Sequence, residues 1–286
     1  MSKNPIGVIG GSGLYAIDGL KIIEEIKIET PFGSPSDAYI LGELEGQKII
    51  FLPRHGRGHR VSPSELNFRA NIWGFKKLGV DAIIAVSAVG SLKKEIEPGH
   101  MVIIDQFFDR TKGRVSTFFS DGVVAHLTFA DPLCSEIRKT LIQAGKETKA
   151  TLHEKGTYLC MEGPQFSTRA ESNVYRSWGM DVIGMTNLQE AKLAREAEIC
   201  YATIALSTDY DCWYEGHDDV TIDMVIATLT KNVETAKKMI RVAVQKISSE
   251  RSCGCRTSMK HAIITDRTLI PEETKKRLEI IAGRYL

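Results

Sequence analysis

The sequence predicts a single α/β domain with a mixed, mainly parallel central sheet flanked by helices. Short β-branched runs alternate with stretches of helical periodicity, and this alternation favours a sheet covered by helices. Several of the runs are apolar throughout, as expected for strands buried on both faces. The predicted strands are Ile6–Ile9, Ala38–Leu44, Lys48–Leu52, Ala82–Val86, Met101–Ile104, Thr157–Met161 and Cys200–Leu206.

Four helices are predicted around these strands. The first uses Ser62 as its N-cap, places Pro63 in its first turn and closes at Gly79. The second spans 132–145, and a long amphipathic helix spans 222–247. A polar break follows the long helix, and a short helix is predicted from residue 271. We therefore expect one domain over 1–247 and a tail over 248–286 that packs on it.

Bulk composition excludes several classes of protein. The 286 residues are 43% hydrophobic, with a formal net charge of +1. No basic stripe is visible, which argues against a nucleic-acid partner. The first apolar run, Ile6–Ile9, is too short for a signal peptide or a membrane span. A cytoplasmic protein with no membrane association is expected.

The six cysteines do not form a recognisable framework. Their spread over a long chain is not that of a small disulfide scaffold, and their spacing with histidines does not match a zinc site. No metal site is predicted. The close pair Cys253 and Cys255 is either reduced in the tail or oxidised with another cysteine such as Cys200. The cysteines are Cys134, Cys160, Cys200, Cys212, Cys253 and Cys255.

A glycine-rich turn follows the first strand. In Gly10–Gly13, backbone N–H groups are free to bind an anion, and Ser12 adds a hydroxyl. The same residues, with Ala16, match a dinucleotide-binding fingerprint, but residues 17–21 make a poor start for the helix that this fingerprint requires. A purely structural turn is the third interpretation.

A basic loop follows the strand that ends at Leu52. It contains Arg54, His55, Arg57 and His59 among glycines that allow close approach. Arginine donates two parallel hydrogen bonds to phosphate oxygens, and histidine donates one or orients the attacking oxygen. Because ligands of open α/β sheets bind at the carboxyl ends of strands, this loop indicates a phosphate site. The alternative is a solvated basic loop.

Further polar groups follow other strands. Ser87 and Ala88 follow an apolar run, and Thr186 follows the short apolar stretch 182–183. Asp209 and Asp211 end the last strand, where two buried carboxylates would be costly without partners. They indicate acids that face a ligand or, alternatively, residues of a surface turn. Phe166 either stacks on a planar base or belongs to the core.

These residues indicate an anion site and a separate acid pair. No activated serine or cysteine and no lysine in a phosphate loop is visible in the sequence. An enzyme that uses the anion itself as the nucleophile needs none of these groups.

The motifs together resemble those of the 5′-methylthioadenosine phosphorylases, a branch of the trimeric purine nucleoside phosphorylases. The resemblance covers about residues 5–247. It rests on Gly7–Gly13, Thr30–Gly33, Arg54–His59, Ala70–Trp73, Ile104–Phe107, Glu162–Phe166, Arg169–Ser172 and Thr208–Trp213.

The resemblance implies a role for each matching residue. Phosphate is expected to bind Ser12, Arg54, His55, Ser87 and Thr186. The ribose and base are expected to contact Met185, Ala88 and Phe166, with Asp209 and Asp211 on the adenine edge. The 5′-methylthio group is expected to face Ile222, Val225 and His126, the last from a neighbouring subunit. One departure from the family pattern is Gly184, where relatives often have asparagine, and another is the run 187–189.

The implied reaction is phosphorolysis of a purine nucleoside by a homotrimer or a dimer of trimers, with phosphate as co-substrate and no cofactor. An oxocarbenium-like sugar forms, phosphate attacks it, and an acid protonates the departing base. Three alternatives remain open: a 6-oxopurine or methylthioinosine phosphorylase, a nucleosidase that uses water, and a non-enzymatic nucleotide-binding module.

Overall fold

The computed structural model describes residues 4–215 and 222–286, together with the side chains in these ranges except those of residues 12, 15 and 222–225. Within this part of the chain there are eleven strands and six α-helices. The strands are β1 (Ile6–Gly10), β2 (Lys21–Ile26), β3 (Tyr39–Leu44), β4 (Gln47–Pro53), β5 (Ala82–Ser91), β6 (Met101–Ile103), β7 (Gln106–Arg110), β8 (Leu152–His153), β9 (Thr157–Met161), β10 (Val182–Gly184) and β11 (Cys200–Asp209). The helices are α1 (Phe68–Lys77), α2 (Ser135–Glu147), α3 (Arg169–Ser177), α4 (Asn187–Glu196), α5 (Ile222–Lys246) and α6 (Glu272–Ala282).

The strands form one mixed sheet, as predicted. Its main path runs β2-β3-β4-β1-β5-β10-β9-β7, and β11 pairs with both β5 and β6. The pairs β1 with β4, β1 with β5, and β11 with β5 are all parallel. The strand β5 therefore contacts β1, β10 and β11, and the polar residues that close it lie at the centre of the sheet.

Alternate residues of β5 belong to two separate hydrophobic cores. Ile83 and Ala85 pack in one core with α1, α4 and α6, whereas Ile84 and Val86 pack in the other with α2 and α5. Successive side chains of a strand point to opposite faces, so each face of the sheet is covered by helices. This explains why the sequence of β5 is apolar throughout.

The first helix begins later than the sequence predicts. Its N-cap is Asn67, whose side chain accepts a hydrogen bond from the backbone N–H of Ala70. Ser62, the predicted cap, instead donates its hydroxyl to Glu65 within a local turn. The helix closes as predicted at Gly79, which has a positive φ of 76°. The second helix also starts three residues later than predicted, at Ser135.

The dinucleotide alternative for the glycine turn is wrong. After β1 the backbone makes a short 3-10 turn over Ser12–Tyr15 and then enters β2. A dinucleotide fingerprint requires a helix at this point, with its N-terminus facing the pyrophosphate. The strands β2, β7, β8 and β10 and the helices α3 and α4 were not predicted.

The tail shares its core with the rest of the fold. Met259, Ala262 and Leu278 are buried together with side chains of α1 and α4. The backbone of Ile263 bridges to Ala125. We therefore propose that residues 248–286 fold together with residues 1–247. None of the helices within the described ranges is both long and apolar enough to cross a membrane.

Candidate active site

A cleft of 2060 Å³ opens where β1, β4, β5 and β11 end. Because parallel strands place their carboxyl ends at one edge of a sheet, the loops that follow them meet there. Nine of the thirteen predicted site residues line this cleft. They are Arg54, His55, Ser87, Ala88, Phe166, Met185, Thr186, Asp209 and Asp211.

Of the other four predicted residues, only His126 has a described side chain. The side chains of Ser12, Ile222 and Val225 lie outside the described residues. His126 is exposed, and it does not line the cleft of its own chain. Its backbone N–H donates to the carbonyl of Ala262 in the tail, at 2.8 Å.

Arg54 is buried beside the cleft and held by a carboxylate that the sequence did not reveal. Its Nε and Nη2 atoms donate to the two oxygens of Glu190, at 2.5 and 3.0 Å. Its Nη1 donates to the carbonyl of Val86 at 2.8 Å. The backbone of Arg54 also donates to Gly10, at 2.9 Å, which attaches the basic loop to the end of β1. Most of the guanidinium donors are thus already used to hold this side chain in place.

Glu190 is the centre of a buried network on α4. It is fully buried and accepts further hydrogen bonds from Tyr201, at 2.7 Å, and Asn187, at 3.2 Å. A buried carboxylate is tolerated when it is paired and its remaining acceptor sites are hydrogen-bonded. The network therefore positions Arg54 with its positive charge near the cleft.

His55 is poised as a neutral hydrogen-bond acceptor. Its Nδ1 lies 2.8 Å from the carbonyl of Val61, so Nδ1 carries the proton and donates it there. Burial, together with the positive charge of Arg54, lowers the pKa of His55 to about 4. The ring stacks on His59, with centroids 4.3 Å apart. Its remaining nitrogen, Nε2, is then unprotonated and suited to accept a hydrogen bond from a protonated phosphate oxygen.

Three residues that carry hydroxyl groups, from β5, β9 and the N-cap of α4, lie together beside the cleft. Ser87 donates to the carbonyl of Ala88, at 3.2 Å, and lies 3.3 Å from the hydroxyl of Tyr158. That phenol in turn accepts from the backbone N–H of Thr186, at 3.4 Å. Thr186 occupies the N-cap of α4, but its side chain makes no capping hydrogen bond. Its hydroxyl and the helix N-terminus are both suited to an anion.

Tyr158 explains the glycine at position 184. A Cβ atom placed on Gly184 would lie 2.0 Å from the phenol oxygen of Tyr158. The tyrosine thus occupies the space of a side chain at 184, and a larger residue there would expel it. Burial raises the pKa of Tyr158 to about 12, so the group is a neutral hydroxyl. The sequence suggests no role for this residue, because it lies within an apolar strand.

The two acids at the end of β11 have different environments. Asp209 accepts from the hydroxyl of Thr208, at 2.7 Å, and from the backbone N–H of Asp211, at 2.8 Å. Burial, reinforced by the charge of Asp211, raises the pKa of Asp209. The carboxylate of Asp211 accepts the Ser167 hydroxyl, at 2.8 and 3.0 Å. Asp209 is therefore the better candidate for a proton donor, and Asp211 supports the loop around it.

The remaining wall of the cleft is held by an arginine that sequence analysis missed. Arg114 donates to the backbone carbonyls of Glu162 and Met185, and its Nε lies 3.1 Å from the Glu162 carboxylate. It thereby joins the loop that carries Phe166 to the residue predicted to bind ribose. Phe166 lines the cleft but is 74% exposed, so its ring is available to a planar ligand and is not a core aromatic.

The sequence profile of the Phosphorylase superfamily matches residues 5–245. This chain belongs to the phosphorylase superfamily. Among curated proteins, S-methyl-5′-thioadenosine phosphorylase of Geobacter sulfurreducens is 61% identical over 282 residues, or 98% of this chain and 99% of that one. The corresponding protein of Koribacter versatilis is 58% identical over 98% of this chain and 96% of its own.

Solved structures agree with this family assignment. A methylthioadenosine phosphorylase from an Antarctic soil metagenomic library superposes with a TM-score of 0.93 at 50% identity, covering 98% of this phosphorylase and 99% of that chain. The Schistosoma mansoni methylthioadenosine phosphorylase in complex with adenine superposes with a TM-score of 0.85 at 36% identity, covering 90% and 96% of the two chains. The predicted fold class and family are both confirmed.

Proposed function

We propose that this phosphorylase converts 5′-methylthioadenosine and inorganic phosphate to adenine and 5-methylthioribose 1-phosphate. The main support for the proposal is that one cleft contains both Asp209, a half-buried acid whose pKa is raised, and the anion-binding groups around Arg54. The curated relatives at 58–61% identity are named for this substrate, and the Schistosoma relative binds adenine.

The anion end of the cleft supplies the nucleophile. Phosphate is proposed to bind between the Arg54 loop, the Ser87 hydroxyl and the N-terminus of α4. The N–H groups of a helix N-terminus and the charge of Arg54 both favour an anion. Neutral His55 accepts a hydrogen bond from the protonated oxygen of a monoprotonated phosphate and so orients the oxygens that face the sugar. Holding both reactants in one geometry lowers the barrier by several kcal/mol.

The acid end of the cleft receives the leaving group. The bond from the anomeric carbon to nitrogen-9 breaks, its electron pair stays on the purine, and a phosphate oxygen forms the new bond to that carbon. Asp209, whose pKa is raised by burial, is the proposed acid and donates its proton to nitrogen-7 as negative charge grows on the base. Its carboxyl group also accepts from the 6-amino group of adenine. Metals and further cofactors have no role in this scheme.

The test is turnover of methylthioadenosine with and without phosphate, followed by separation of adenine from substrate. We expect adenine release only when phosphate is present, in equal amounts with the sugar phosphate. Release without phosphate would instead identify a nucleosidase. Faster turnover of inosine or methylthioinosine would identify a 6-oxopurine enzyme.

We further propose that the protein is a cytoplasmic homotrimer or dimer of trimers in which His126 reaches the cleft of a neighbour. The exposure of His126 and its absence from its own cleft support this arrangement. Light scattering at assay concentration should give a mass of three or six chains. The variant His126→Ala should raise the KM for methylthioadenosine without altering that mass. A fully active monomer would disprove the proposal.

A further inference from the structure

Four cysteines that are far apart in sequence meet away from the cleft. Cys134 is the N-cap residue of α2, Cys200 begins β11, and Cys253 and Cys255 flank a glycine in the tail. All four sulfur atoms lie within 4.8 Å of one another. Cys134, Cys200 and Cys255 are buried, and Cys253 is partly buried. Sequence spacing predicted no metal site, because three separate segments contribute these side chains.

The sulfur positions suit a single tetrahedral metal ion. Zinc binds thiolates at about 2.3 Å, which places the sulfurs of a tetrahedral four-cysteine site about 3.8 Å apart. The sulfurs of Cys200 and Cys253 are 3.4 Å apart, and all four sulfurs lie within 4.8 Å of one another, which is compatible with that distance. A disulfide requires about 2.05 Å. The four cysteines are free thiols in this structure, and their sulfurs are close enough together to share one ion.

The charge around the cluster favours an anionic assembly. The guanidinium of Arg251 lies beside the sulfur of Cys200, and its Nε–H is buried without a hydrogen-bond partner among the described residues. The other end of the same group pairs with Asp81, at 2.7 Å. Two disulfides carry no charge and would offer this donor only weak sulfur acceptors. Four thiolates on a divalent ion carry a net charge of about −2, and their sulfurs accept N–H donors.

We propose that Cys134, Cys200, Cys253 and Cys255 bind one Zn²⁺ ion as a structural tetrathiolate site. On binding, the four thiols lose four protons to solvent, four zinc–sulfur bonds form, and no group is oxidised or reduced. The ion joins the tail to α2 and to the first residue of β11. Such closed sites supply folding free energy and take no part in chemistry.

The first test measures metal and thiols in the full-length protein purified anaerobically without added reductant. We expect about one zinc per chain by mass spectrometry, retained through gel filtration. After unfolding in chelator without reductant, all six cysteines should react with a thiol reagent. Only two or four reactive thiols would show disulfides and overturn the proposal. Six reactive thiols in a protein that held no metal and took up none when reconstituted with zinc would overturn it as well.

The second test uses variants and a spectroscopic probe. Cys253→Ser and Cys255→Ser should each lose stoichiometric zinc, whereas Cys212→Ser, outside the cluster, should keep it. Should the cluster variants fail to fold, the wild-type protein reconstituted with Co²⁺ provides an independent readout. A tetrahedral cobalt tetrathiolate should give strong visible bands and sulfur-to-metal charge transfer. Cobalt bound in an octahedral, weakly coloured form would refute the four-cysteine assignment.

Discussion

The substitution Asp209→Asn tests the proposed acid while preserving its surroundings. The amide oxygen can keep the hydrogen bond from the backbone N–H of Asp211, which is 2.8 Å in the native chain. The amide nitrogen then faces the hydroxyl of Thr208, which can accept from it by turning its own proton to the carbonyl of Val89, at 3.2 Å. Neither local hydrogen bond need be lost, so the fold should be intact.

The substitution should still remove most of the activity. An amide cannot deliver a proton, and a positioned general acid is worth about 10²–10⁴-fold in rate. The expected loss in kcat for methylthioadenosine is therefore about 3–5 kcal/mol of transition-state stabilisation. An amide can donate to a 6-oxo group, so the ratio of inosine-type to adenine-type turnover should rise. Buried hydrogen-bonding groups set this kind of discrimination, which reaches about 10⁴-fold or more.

The assay is steady-state phosphorolysis of methylthioadenosine and inosine across a range of pH. Because the acid form of Asp209 is required, wild-type activity should fall as pH rises through the raised pKa of this group. The variant should lack that limb. The matched control is Asp211→Asn, for which we expect a smaller effect, since its carboxylate is already bound to Ser167. Unchanged methylthioadenosine turnover in Asp209→Asn would refute the assignment and make Asp211 the next candidate.

Three further outcomes follow from the anion end of the cleft. Arg54→Ala should raise the KM for phosphate, which a phosphate titration measures. It should also lower the unfolding free energy by about 3–5 kcal/mol, measured by chemical denaturation, because Glu190 loses its buried cation. Tyr158→Phe removes about one neutral hydrogen bond and should therefore lower kcat/KM for phosphate by about five- to tenfold. Initial rates should show an unchanged KM for methylthioadenosine. Because the pKa of His55 is lowered in the folded state, its contribution to the unfolding free energy is fully present above about pH 6.5 and is lost as pH falls toward about 4. Denaturation curves from pH 8 to pH 4 should therefore show a smaller decrease in unfolding free energy for His55→Gln than for the wild-type protein.

The strands were predictable because their signal is local. A run such as Ala82–Val86 is apolar on both faces, and burial under helices on both sides is the simplest way to satisfy it. The start of α1 was not predictable from the same kind of signal. Ser62 and Asn67 are both good caps, and in the fold Asn67 caps the helix while Ser62 bonds Glu65 in the preceding turn. Local capping preferences do not rank two competing caps.

The site was predictable as a set of residues but not as a network. Arg54 and Asp209 are visible in sequence because each follows an apolar strand. Their supports are not visible, since Glu190 contacts Arg54 across 136 residues and resembles any helical acid. Arg114 lies in a segment without regular structure, and nothing in its neighbours marks it. Groups that touch a ligand follow strand ends, whereas groups that position them are selected by tertiary packing alone.

One strand connects the features on which function and stability rest. β11 begins at Cys200 in the cysteine cluster, holds Glu190 through the hydroxyl of Tyr201, and ends at Asp209 in the cleft. Its interior is buried, and it pairs with β5 along its length and with β6 at residues 204–206. Loss of the tail cysteines should therefore first lower the unfolding temperature, with the kinetic constants unchanged while the strand stays paired. A change in the pH dependence of turnover without any loss of stability would show instead that the cluster acts directly on the acid.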